Sequence, residues 1–109
     1  MAGKFFLHPA GTSQFHWALR AGNGETILSS QLYGSLQSAQ DAIESCRTHS
    51  ANDAHFSRLV TRDLKSYFVL RGAEGETIGT SEMYNSDSKR DKGIATCKAD
   101  AASAVMKFD

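Results

Sequence analysis

Neither sign of charge is in excess in this chain: twelve lysines and arginines balance twelve aspartates and glutamates. A neutral chain exerts no general pull on nucleic acid or an anionic membrane, so neither is an expected partner, local patches aside. Long apolar runs are also missing. The N-terminus MAGKFFLHPAG is too weakly apolar for a signal peptide, and no segment is long enough to cross a bilayer. The cytoplasm is therefore the expected compartment. Cysteine is scarce, with only Cys46 and Cys97, whereas a small secreted domain more often carries several paired cysteines. The 109 residues suit one compact domain of ordinary soluble composition.

What the chain does have is a phrase written twice. LRAGNGETILSS runs from Leu19 to Ser30, and LRGAEGETIGTS from Leu70 to Ser81, 51 residues later. Cys46 and Cys97 stand at the same offset. Without a gap, Leu19 to Cys46 lies over Leu70 to Cys97, with 11 identities in 28 positions. Internal duplication is the economical explanation. Upstream, Phe5 falls over Phe56. Downstream, Val105 to Phe108 falls over Ala54 to Ser57, so the chain reads as two full copies and the first strand of another.

Each copy reads as strand, strand, strand, helix. In the first, Lys4 to Leu7 is a short apolar run, and Phe15 to Ala21 alternates, with Phe15, Trp17, Leu19 and Ala21 on one face. Glu25 to Ser30 is a third strand, and Ser35 to about His49 has helical spacing with Ser35 as N-cap. The second copy gives Ala54 to Leu59, Ser66 to Gly72, Glu76 to Ser81, and a helix from Ser86 to about Ala99. Both cysteines fall on helical apolar stripes and read as buried free thiols.

The turn between the second and third strands has two solutions. Asn23-Gly24 suggests a two-residue hairpin, which sets Leu19 opposite Leu28. A three-residue loop sets Leu19 opposite Ile27 and Leu70 opposite Ile78. The face pattern favours the latter, with a type I turn closed by glycine in a left-handed bulge. Glu74, standing where the first copy has Asn23, agrees, since it suits a right-handed position better. Gly24 and Gly75 are thus expected at positive φ.

A unit of about fifty residues is marginal alone. Two such units sharing a core would behave as a homodimer fused into one polypeptide. The expected fold is α+β: two tandem β-β-β-α repeats, residues 1–53 and 54–109. They pack as one pseudo-twofold domain with an antiparallel sheet and one helix per repeat, plus a short C-terminal strand that completes a sheet edge. A monomer is expected, with Trp17, Phe68, Ile27, Ile78, Ile43, Ile94, Cys46 and Cys97 buried.

The residues carrying the pattern are Trp17, Leu19, Arg20, Asn23, Gly24, Ile27, Ser30, Tyr33, Ser35 and Ile43. In the second copy they are Phe68, Leu70, Arg71, Gly75, Ile78, Ser81, Tyr84, Ser86, Gly93 and Ile94. This pattern resembles the repeat of the YegP family of small bacterial proteins, over nearly the whole chain. The resemblance implies an α+β tandem fold in a bacterial cytoplasmic protein and lends no reaction. Glu74, Ala42, Cys46 and Cys97 depart from the family's usual residues.

Chemistry is thinly represented. His8, His16, His49 and His55 are not repeated between copies, and none has zinc spacing with a cysteine or second histidine. Ser30 and Ser81 lack a repeated base and a nucleophile-elbow context. The glycine turns precede strands, not helices, which excludes a phosphate loop. No metal, cofactor or catalytic residue is expected, and the chain reads as a non-catalytic interaction or accessory module with a possible protein partner. The repeated polar set is the candidate site: Arg20, Ser30, Tyr33, Arg71, Ser81 and Tyr84. Turn and cap chemistry accounts for most of the set. The alternative is a twofold pair of Arg/Ser/Tyr surfaces that bind a small molecule or anion, or that serve a minor enzyme.

Overall fold

The structure, a computed structural model, describes residues 3–108. The first repeat supplies β1 (Lys4–Pro9), β2 (Phe15–Arg20), β3 (Thr26–Ser29) and α1 (Leu36–His49). The second supplies β4 (Phe56–Val60), β5 (Ser66–Arg71), β6 (Thr77–Ser81) and α2 (Asp87–Asp100), and β7 (Val105–Phe108) follows. All seven strands form one sheet in the order β4-β5-β6-β3-β2-β1-β7. The six strands of the repeats pair antiparallel; β7 lies parallel to β1 and covers its outer edge.

The helices begin where the sequence supplies caps. The Ser35 hydroxyl accepts from the Ser38 N–H at 3.1 Å, and Ser86 accepts from Lys89 at 3.2 Å. Both helices cover the same side of the sheet, because both inner stripes enter one core. Ile43 and Cys46 meet Ile94 and Cys97 there, above Phe5, Leu7, Leu19, Phe56 and Leu70. The core repeats its own aromatic contact: Phe5 meets Trp17 edge-on at 5.5 Å, and their mates Phe56 and Phe68 meet at 5.7 Å. The eight residues expected inside are all buried.

The two repeats join through β3 and β6. Ser29 pairs with Thr80, its own mate, so the pseudo-twofold axis passes through that pair. Next to it, the repeats differ where they must. Leu28 is fully buried, and its mate is Gly79. A Cβ at Gly79 would stand 2.7 Å from the Leu28 Cγ, so the axis has room for one leucine.

The hairpin turns have the expected form in both copies. Gly24 and Gly75 lie at φ +88° and +83°. Ala21 donates to the Glu25 carbonyl, and Gly72 to Glu76, each at 2.8 Å, closing three-residue loops. Arg20 pairs with Thr26 and Arg71 with Thr77, as those loops require. One step further the expected register fails: Leu19 stands opposite Leu28, not Ile27, and Leu70 opposite Gly79, not Ile78. Ile27 and Ile78 are extra residues in the ladder. The cause is two successive inward positions, Ile27 and Leu28 in one copy and Ile78 and Gly79 in the other, all buried. A regular strand would send one of each pair to the far face, and a bulge keeps both inside.

Candidate functional site

The six repeated polar residues do not converge. Ser30 and Ser81 belong to the ladder itself. The Ser30 Oγ accepts from the Trp17 N–H at 2.8 Å and donates to the Gln31 carbonyl at 2.8 Å. Ser81 accepts from Phe68 at 2.9 Å and donates to Glu82 at 2.8 Å. Each hydroxyl thus stands in for a backbone carbonyl where its strand ends. Ser81 is buried, so Ser81→Ala would leave the Phe68 N–H unmet inside the protein. The expected loss is about 1–3 kcal/mol of stability, read by urea unfolding. A neutral result would make the hydroxyl dispensable to the fold.

Tyr33 and Tyr84 hold the strand-to-helix links down. Tyr33 exchanges backbone hydrogen bonds with Phe15, and Tyr84 with Ser66. Their side chains line two clefts related by the pseudo-twofold axis, each built from a hairpin of one repeat and the helix of the other. One, of about 400 Å³, joins Glu25 and Ile27 to Tyr84, Lys89 and Lys92. The other, of about 330 Å³, joins Glu76 and Ile78 to Tyr33 and Asp41. Asp41 is the repeat mate of Lys92, so the shape is duplicated but the charge is not. Burial raises the Tyr84 phenol above its ordinary value, with Glu82 and Glu25 adding to it. Burial likewise raises Tyr33, opposed by the neighbouring Trp17 indole. Both phenols therefore remain protonated near neutral pH and can donate but not act as bases.

Arg20 and Arg71 lie elsewhere, on the sheet face that carries no helix. Strand alternation and register define that face. One row crosses all seven strands: Ser57, Val69, Thr80, Ser29, Ala18, Phe6 and Lys107. Its centre is small side chains, and larger ones flank it. The Arg20 guanidinium lies 5.2 Å from the centre of the Phe6 ring. Phe6 and His8 are stacked at 6.4 Å with 10° between planes, and His8 meets His16 at 5.1 Å. Tyr67 occupies the position of His16 in the second repeat. Arg71 is held in place, its Nε donating to the Ser57 Oγ at 2.9 Å and Nη1 reaching the Gly75 carbonyl and Thr77 Oγ1 at 3.4 Å.

Among the described residues, the charges that the strands place on this face are all of one sign. The seven strands contain Lys4, Arg20, Arg58, Arg71 and Lys107 but no aspartate or glutamate. Arg58 points to the helix side, where it pairs with Asp53 at 3.1 Å and Asp91 at 3.4 Å. The other four belong to the open face. Among the described residues, every carboxylate side chain belongs to a helix or to a segment that connects the strands and helices. The sequence marks Arg20 and Arg71 but not Phe6, His8, His16 and Tyr67 on the same face. The available signal was the second set of alternate positions in each strand.

The remaining histidines serve the scaffold. The His49 Nδ1–H donates to the Ser45 carbonyl at 2.9 Å, and the His55 Nδ1–H donates to the Arg71 carbonyl at 2.9 Å. Among the described residues, no three of the His, Cys, Asp and Glu side chains gather to hold a metal ion. No helix there is long and apolar enough to cross a membrane.

Comparison with known proteins agrees with this duplicated architecture. The model of a domain of unknown function, DUF1508, matches residues 12–56 and again 62–107. A UPF0339 protein of Acinetobacter baylyi is 41% identical over 98% of this chain and 96% of its own. YegP of Escherichia coli K12, also a UPF0339 protein, is 41% identical over 98% of this chain and 97% of its own. The solution NMR structure of YegP from E. coli, described as a protein of unknown function, superposes with a TM-score of 0.93 at 40% identity. It covers 100% of this chain and 94% of that one. A UPF0339 protein from Shewanella oneidensis, also solved by NMR, gives 0.93 at 38% identity, covering 99% and 92%. With its two DUF1508 repeats and these full-length relatives, the chain belongs to the UPF0339 family that includes YegP.

Proposed function

We infer that the protein is a non-catalytic binding module, that its binding surface is the helix-free face of the sheet, and that the partner there is an extended polyanion. The observation that carries this reading is the segregation of charge: among the described residues, the strands place four cations and no carboxylate on that face, in a chain of zero net charge. A cationic surface without interleaved acids attracts a polyanion where the average of the whole chain does not. The non-catalytic part draws support from the commitment of the repeated serine hydroxyls to the ladder and from the protonated state of both tyrosines. We place the protein in the cytoplasm as a monomer. The neighbouring Cys46 and Cys97 remain free thiols, as a reducing compartment keeps them, and the internal duplication supplies the second half that a single repeat would seek in a dimer.

Retention on immobilised heparin tests the face. Arg20→Glu with Lys107→Glu is expected to abolish retention at low salt. Lys89→Glu with Lys92→Glu makes the same change in net charge on the helix side and is expected to leave most of it. Equal loss from both pairs, or no retention of the parent protein, would refute the assignment.

A further inference from the structure

We propose that the polyanion is a single-stranded nucleic acid, bound with its phosphates on the cations of the open sheet face and its bases stacked on that face's rings. This rests on the assignment of the face as the binding surface and adds the class of partner. Charge alone would suit any polyanion. The rings make the difference: Phe6, His8 and His16 form a continuous series beside Arg20, and Tyr67 sits at the equivalent place across the axis. None of these rings belongs to the core cluster.

Their placement is costly to explain otherwise. In a protein with one covered sheet face, the far face is usually polar, and here it carries aromatic side chains between cations. Every base has a π-face, so aromatic platforms in a cationic surface bind single strands with little regard to sequence. A duplex keeps its bases stacked on each other and offers such rings nothing. The centre of the face suits a strand laid across it, since Ala18, Ser29 and Thr80 are small and the flanking side chains stand taller. The pseudo-twofold axis gives the two flanks related equipment, with Arg20 and Arg71 at equivalent positions. The guanidinium of Arg71 is already fixed by Ser57 and Thr77, which reduces the ordering needed when a phosphate arrives.

The experiment is fluorescence polarisation with end-labelled oligouridylate and oligothymidylate of about 15 nucleotides, a length that spans one small binding domain. A duplex of equal length serves as comparison, and heparin as a polyanion without bases. Both single strands are expected to bind more tightly than the duplex. Affinity is expected to fall roughly twentyfold or more between about 50 and 200 mM salt, as three or four phosphate contacts require. Phe6→Leu keeps an apolar side chain but removes the ring, and is expected to weaken binding by about fivefold or more. Amide shifts in the unmodified protein are expected to change on β1, β2 and β5 and not on α1 or α2, a readout that needs no variant. Duplex or heparin binding at least as tight as the single strands would overturn the proposal and leave the polyanion-binding face standing. So would binding indifferent to Phe6→Leu. Failure to bind any of these probes would overturn both.

Discussion

Gly79→Leu, which restores identity between the repeats at this position, is expected to destabilise the protein by about 3 kcal/mol. The reason lies beside the pseudo-twofold axis. The new Cβ would stand 2.7 Å from the Leu28 Cγ, 2.9 Å from its Cδ2 and 3.3 Å from the Ser29 carbonyl oxygen. Leu28 is fully buried and has no open direction in which to yield. The partner change distinguishes a specific clash from general loss of a strand glycine. Leu28→Gly alone opens a cavity and also destabilises, by about 2–5 kcal/mol. In the double variant the leucine moves to the other side of the axis and fills the vacated space. Equilibrium urea unfolding of all four proteins should therefore give a strongly favourable coupling energy. Additive losses, or a Gly79→Leu protein as stable as the parent, would show that the axis accommodates two leucines.

The second large effect is on the thiols. Cys46 and Cys97 are fully buried where α1 and α2 meet over the sheet. The hydrogen bond with Cys97, then burial, pushes the Cys46 thiol well above its ordinary value, which suppresses the reactive thiolate. Labelling by an aromatic disulfide reagent in native buffer is expected to be slower than in denaturant by a factor of about 10³ or more, set by the opening equilibrium of a small domain. Both cysteines should become reactive together across one urea transition, because one core holds both. Rapid labelling of either, or two separated transitions, would mean that the repeats fold as independent units.

Much of this architecture was legible because the chain states it twice. A strand boundary or cap in one copy has its counterpart in the other, as with Ser35 and Ser86 or Gly24 and Gly75. The details that escaped depend on residues distant in sequence. The bulges at Ile27 and Ile78 follow from what both helices and both β3–β6 neighbours leave to be filled, which strand alternation alone does not contain. The serine hydroxyls that complete the ladder look locally like ordinary strand ends, since nothing local says which backbone N–H they will meet. Ser13 and Leu64, repeat mates in the β1–β2 and β4–β5 turns, adopt left-handed φ of 60° and 64° without a glycine to mark them. The open face was hardest to foresee. Net charge sums over the chain, whereas the face is defined by strand pairing, which brings Phe6 to Arg20 and His8 to His16.

The parallel pairing of β1 with β7 has a mechanical consequence. The first and last strands of the chain lie side by side and run in the same direction, Lys4 beside Val105 and Leu7 beside Phe108. A tension applied to the two chain ends would draw these strands past each other lengthwise. Their hydrogen bonds, evenly spaced as in any parallel pair, would then share the load and yield together rather than one after another. The remaining five strands and both helices would lie outside the line of force until that clasp gave way.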